Sequence, residues 1–205
     1  MRVLVAADSR GQNLGPKYSW ISLVEERHPE HDYWVRKKAA FTTIFDHVDT
    51  ALAYGIRFDC GIVQLGYHDM VVPWKKAVFR QYLPEQDPEW ETHLTLCPQL
   101  VMGAHVFVDC YRYKHDEAIR QQFTRLRSVC PKLLFIQMPY SYDIFAEATR
   151  DMNKVFGSCC DAVLDLPQDD KNFPGMYTVD NVHYCDVFAI ELAQRVCDWL
   201  IAREQ

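Results

Sequence analysis

No apolar stretch in this chain approaches the roughly 18 residues that a membrane-spanning helix needs. Positive charge is in deficit: 22 Lys and Arg face 28 Asp and Glu, for a net charge of −6. A face that neutralises nucleic-acid phosphates needs a basic patch. The two basic runs, Arg36-Lys37-Lys38 and Lys75-Lys76, are too short to make one and read as solvated surface. Nucleic acid is therefore not the expected partner. Eight cysteines are present, yet none forms a C-x-x-C pair, which argues against a zinc ribbon or a thioredoxin-like redox site. Neither G-x-x-x-x-G-K-[ST] nor G-x-G-x-x-G occurs, so nucleotide binding by those loops is not indicated. G-x-S-x-G is missing too, which counts against a nucleophile elbow of the α/β-hydrolase kind. No cofactor is expected. No basic region with an apolar run and a small-residue cleavage site is visible, and the first strand begins at residue 2. Together with the unpatterned thiols, this points to a reducing, cytoplasmic setting.

What is present is a regular alternation. A chain of 205 residues, 49% hydrophobic, is long enough to bury one full core, so one domain is expected over 1–205. Apolar runs near 2–7, 32–36, 60–66, 132–138 and 161–166 read as strands. Helix-period segments near 18–28, 42–54, 115–129, 143–157 and 185–203 separate or follow them. Ala189, Leu192, Ala193, Val196 and Leu200 make the clearest apolar stripe. Ile44, Val48, Ala51 and Leu52 make another, closed by Gly55 where helices often end. Cys60, Cys130 and Cys197 sit beside apolar runs and read as small buried hydrophobes. The pattern predicts an α/β fold: a three-layer α/β/α sandwich with a five-stranded, mostly parallel sheet, flavodoxin-like in order.

One segment breaks the alternation. Residues 70–114 far exceed the roughly 2–6 residues of an ordinary strand-to-helix connection. They are rich in aromatics and prolines and contain one strand-like piece, Ala104-His105-Val106-Phe107-Val108. The segment is either an insertion packed on the side of the domain or a lid over a site, since it leaves the sheet directly after His68-Asp69.

Polar residues collect where the apolar strands end. Asp8-Ser9 follows the first strand and leads into a turn with Gly11 and Gly15. Gly66-Tyr67-His68-Asp69 follows the third. Asp180-Asn181-Val182-His183 opens the final helix. Taken singly, each has an ordinary reading: Ser9 and Asp8 as turn residues, Asp180 as a helix cap, His183 as a satisfied histidine. Taken together, they lie where sites form on an open sheet, outside the carboxyl ends of its strands. Two looser groups, His28/His31/Asp32 and His105/Asp109/His115/Asp116, have no recognised metal-ligand spacing and read as polar surface, so no metal is expected.

On the blocks Ala7-Asp8-Ser9, Gly66-Tyr67-His68-Asp69 and Asp180-Asn181-Val182-His183, the chain resembles the SGNH (GDSL-type) hydrolases along nearly its whole length. The resemblance implies a nucleophilic Ser9, a general base His183 and an orienting Asp180. It also implies an oxyanion hole built from the N–H groups of Ser9 and of the residue after the second strand, plus a side chain of the third block. The family has glycine after the second strand, where this chain has Ala39 or Ala40, with Ala39 favoured. The family's third-block Asn is His68 here. An alanine keeps its N–H, and a histidine ring can still donate. Asp8, Gly66, Tyr67 and Asp69 are expected at the substrate. The implied reaction is cleavage of a small O-acyl ester, an acetylated carbohydrate or short-chain acyl ester, through an acyl-enzyme. An O-acyltransferase with the same triad and a catalytically silent binding protein of the same fold are the alternatives.

Overall fold

The computed structural model describes residues 1–11, 18–35, 42–66, 69, 94–102, 105–113, 116–138, 146–166 and 184–204. Five strands form one parallel sheet: β1 (Arg2–Ala7), β2 (Asp32–Val35), β3 (Cys60–Gln64), β6 (Leu133–Ile136) and β7 (Ala162–Leu164). Their order is β2-β1-β3-β6-β7, with Val3 beside both Tyr33 and Cys60, and Gly61 beside Leu133. Among the described residues five α-helices accompany it: α1 (Trp20–Arg27), α2 (Ile44–Ala53), α3 (Asp116–Arg127), α4 (Ala146–Cys159) and α5 (Asp186–Glu204). All ten elements lie within three residues of the boundaries expected from periodicity.

Successive side chains of a strand point to opposite faces, and both faces here are apolar. Leu4, Ala6, Val63, Leu133 and Phe135 meet α2, α3 and α4 on one side. Val3, Val5, Ala7, Ile62, Leu134 and Ile136 meet α1 and α5 on the other. That is why the strands read as continuous apolar runs, as expected for a sheet covered on both faces. The α5 stripe is buried throughout, from Ala189 to Leu200. Cys60, Cys130 and Cys197 are buried as well, and burial pushes the Cys60 thiol up to about 11 and the Cys130 thiol up too. They are packing residues with little thiolate character. No described helix is long and apolar enough to cross a membrane.

The 70–114 segment departs from expectation. Its described residues hold two strands rather than one, β4 (Leu94–Met102) and β5 (His105–Tyr113), paired antiparallel as a separate two-stranded sheet with Met102 opposite His105. The signal for β4 is hidden by Pro98, which cannot donate to a ladder and so argues against a strand by composition. In a two-stranded ribbon every strand is an edge strand, where proline is tolerated.

The chain leaves β3 through Gly66, whose φ is +116. A Cβ there would stand 2.7 Å from the Met138 methyl carbon and 2.9 Å from its sulfur. Gly66→Ala therefore combines an unfavourable backbone region with a core clash. It should cost about 1–3 kcal/mol in urea unfolding; an unchanged midpoint would contradict the packing described.

Candidate active site

The first winding of the chain sets the site. The β1–β2 connection places α1 on one face, and the β2–β3 connection places α2 on the other, so β1 and β3 lie side by side with their connections diverging. This is the switch point of a doubly wound sheet, where a crevice opens outside the carboxyl ends of the strands. Ser9 and Gly66 are both delivered there.

Ser9 starts a single turn of 3-10 helix, Ser9–Gly11, immediately after β1. The Asp8 N–H donates to the Gln64 carbonyl at 3.1 Å, carrying the pairing with β3 one residue further. The Gly11 N–H donates to the Asp8 carbonyl at 3.1 Å and closes the turn. The Asp8 carboxylate accepts from the Arg10 N–H at 3.0 Å and from Arg10 Nε at 2.9 Å, and it also pairs with the rest of the guanidinium. Both side chains are almost fully buried. A buried arginine–carboxylate fork of this kind fixes geometry more surely than it adds stability. It pins the residues on either side of Ser9, which is itself half-buried. Gly11 admits no side chain, because a Cβ would lie 2.7 Å from Ala7 Cβ and 2.8 Å from Ile21 Cδ1. Its carbonyl accepts from the Ser19 hydroxyl, which in turn accepts from the Ile21 N–H and caps α1.

Gln64, the last residue of β3, is fully buried. Its Oε1 accepts from Trp20 Nε1 at 2.8 Å, and its Nε2 donates to the Tyr184 hydroxyl at 2.9 Å. An indole N–H only donates, so the amide can face in one sense only. Tyr184 directly follows His183 in sequence. It is 2% exposed, packs edge-on against Phe188, and desolvation pushes its phenol up to about 12, so it is neutral at ordinary pH. One side chain thus joins the end of β3 to the start of α1 and to the entry of α5. A second tie between the last two is the Tyr18 N–H, which donates to Asp186 Oδ1 at 3.0 Å.

The third block is anchored to the second. Asp69 is fully buried, and its Oδ1 accepts from the Ile44 N–H at 2.8 Å. Ile44 is the first residue of α2, where backbone N–H groups lack helical partners and favour negative charge. Thr43 and Asp46 complete that terminus as a capping box. Of the residues expected at the site, Asp8, Ser9, Gly66 and Asp69 lie among those described. Ala39, Tyr67, His68, Asp180 and His183 lie outside them. Arg10, Gln64, Trp20 and Tyr184 were not anticipated. A glutamine closing an otherwise apolar strand next to a glycine was the available signal for the first of these contacts.

This α/β architecture, a parallel five-stranded sheet covered by helices on both faces, is shared with several solved structures. Among solved structures the chain is similar to TesA, at 16% identity and a TM-score of 0.58 over 99% of both chains. It is similar to the lipase/acylhydrolase from Enterococcus faecalis, at 13% identity and a TM-score of 0.56, over 98% of this chain and 96% of that one. It is also similar to Axe2, an acetylxylan esterase from Geobacillus stearothermophilus, at 15% identity and a TM-score of 0.54, over 96% and 92%. Catalytic mutants of Axe2 replace a serine, an aspartate and a histidine. At these identities the likeness is one of fold. No protein-family profile matches the chain, and no curated protein matches it in sequence.

The Gln64 contacts have a measurable worth. Gln64→Leu strands two buried donors-or-acceptors on Trp20 and Tyr184 and should cost about 1–3 kcal/mol. Tyr184→Phe removes a single acceptor and should cost roughly 0.5–1.5 kcal/mol. The double variant should cost less than the sum, as groups in one network do. Strict additivity in denaturant unfolding would mean that the two side chains do not interact.

Proposed function

We propose that this protein is a serine esterase of the SGNH type, cleaving a small O-acyl ester such as an acetylated carbohydrate or a short-chain acyl ester. The observation that carries the reading is the placement of Ser9. It stands on a turn braced by the Asp8–Arg10 pair at the switch point, and Gln64 ties the neighbouring strand end to Tyr184, the residue after His183. The spacing of the last block adds support. In Axe2 the aspartate and histidine of the catalytic mutants are three positions apart, as Asp180 and His183 are here.

In this reading Ser9 Oγ attacks the ester carbonyl while His183 takes its proton and later returns it to the leaving alcohol. Asp180 orients His183 and stabilises the imidazolium. The N–H groups of Ser9 and Ala39, with the His68 ring, hold the tetrahedral oxyanion. Water then cleaves the acyl-enzyme, releasing the acid. Gly66 and Tyr67 contribute to the substrate wall. Asp8 and Asp69, buried against Arg10 and the Ile44 N–H, act through the turn and helix they brace.

Turnover of short-chain p-nitrophenyl esters tests the assignment. Ser9→Ala should reduce the rate to background with the fold intact by circular dichroism; appreciable residual turnover would remove Ser9 from the role of nucleophile. Asp180→Asn should lower kcat by about 10⁴, the loss seen for the equivalent change in a serine protease. His68→Asn should retain much of the rate, whereas His68→Ala should lose about 10²–10³; equal rates for all three would exclude His68 from the oxyanion hole.

A further inference from the structure

The turn between α1 and β2 carries a group of chemistry-bearing side chains that the esterase reading does not use. His28 caps α1, its N–H donating to the Val24 carbonyl at 3.0 Å, and the His31 N–H donates back to the His28 carbonyl at 3.2 Å. The turn so formed brings His28, Glu30 and His31 together with their ligating atoms all within 4.8 Å of one another. His28 Nδ1 lies 3.0 Å from Glu30 Oε1, and His31 Nδ1 lies 3.7 Å from the same oxygen. The two imidazole rings are stacked, 5.5 Å between centroids and 14° from parallel. In a tetrahedral zinc site with bonds of about 2.0–2.1 Å, ligand atoms are about 3.3 Å apart. The two distances to Glu30 bracket that value.

The surroundings of His31 strengthen the case. Its side chain is 1% exposed, and its two nitrogens face different partners. Nδ1 is 3.4 Å from the Met1 amino group, and Nε2 is 3.4 Å from Glu204 Oε1 at the end of α5. Nδ1, the nitrogen that also faces Glu30, is the atom a metal would use. The Glu204 carboxylate stands within ion-pair distance of Nε2 and adds negative charge behind the ring.

We infer that the α1–β2 turn is a Zn(II)-binding site. Its ligands are His28 Nδ1, the Glu30 carboxylate and His31 Nδ1, with Glu204 supporting His31 from behind. Zinc replaces the hydrogen bond from Met1 to His31 Nδ1, and water fills the fourth position. The site lies at the amino ends of β1 and β2, roughly 20 Å of strand from Ser9. Its role is to clamp the α1–β2 turn to the end of α5.

Titration calorimetry of ZnCl2 into the chelator-treated full chain tests this. The native protein should bind one equivalent that His28→Gln and Glu30→Gln both lack. Glu30 is exposed and His28 is partly buried, and neither belongs to the hydrophobic core. Glu204→Gln, which removes the negative charge behind His31, should weaken the same event. Zinc should raise the melting temperature of the native chain and leave that of His28→Gln unchanged, because only binding to the folded state stabilises it. Equal stoichiometry and affinity in the native chain and both ligand variants would assign the zinc to other residues and overturn the site. So would the absence of zinc binding to the native chain.

Discussion

Gln64 has no access to water, so its amide must find its partners inside the protein. It finds them on two elements far apart in sequence, Trp20 at the head of α1 and Tyr184 at the approach to α5, while its backbone carbonyl receives Asp8. Leaving either partner unpaired in the core would cost more than the bond itself contributes. The three segments converging on the switch point therefore close as one unit. The turn at Ser9 inherits its position from this arrangement, and the residue after His183 is held by the same side chain.

Around that contact the protein spends polar groups on bracing. Asp8 and Arg10 neutralise each other on either side of Ser9, and Asp69 gives its carboxylate to the amino terminus of α2. Each would be unfavourable if unpartnered in so apolar a setting. Together they fix the turn after the first strand and the amino terminus of α2 by contacts internal to the protein. The opposite end of the sheet is organised separately. There His31 sits between the first residue and the last helix, so the two ends of the molecule carry independent polar clusters joined by an apolar sheet.

The sheet and its helices were legible in the sequence because both faces are covered. Strands buried on two sides read as unbroken apolar runs, and α2 and α5 show stripes at helical spacing. The β4 strand was not legible, since Pro98 masks it. The braces were illegible for a different reason: Gln64 meets residues 44 and 120 positions away, and no local pattern announces such a pairing. The histidine cluster was half legible. The sequence grouped His28, His31 and Asp32 as polar surface; in the structure Asp32 accepts from Trp34 Nε1 at 2.9 Å, while Glu30, on the turn itself, faces both rings. The blocks at 8–9, 66–69 and 180–183 were visible as polar groups at element ends. The chemical roles proposed for them rest on resemblance, because a serine, an aspartate or a histidine in such a place also serves as a cap or turn residue.

Everything proposed for the reaction depends on Ser9 being an activated nucleophile rather than a turn residue. Incubation of the native chain with a fluorophosphonate probe, followed by mass spectrometric location of the adduct, tests it most directly. The account predicts a single adduct on Ser9, lost when His183 is replaced by alanine because the hydroxyl then has no base. A well-folded native chain that takes up no probe, or takes it up at another residue, would contradict it.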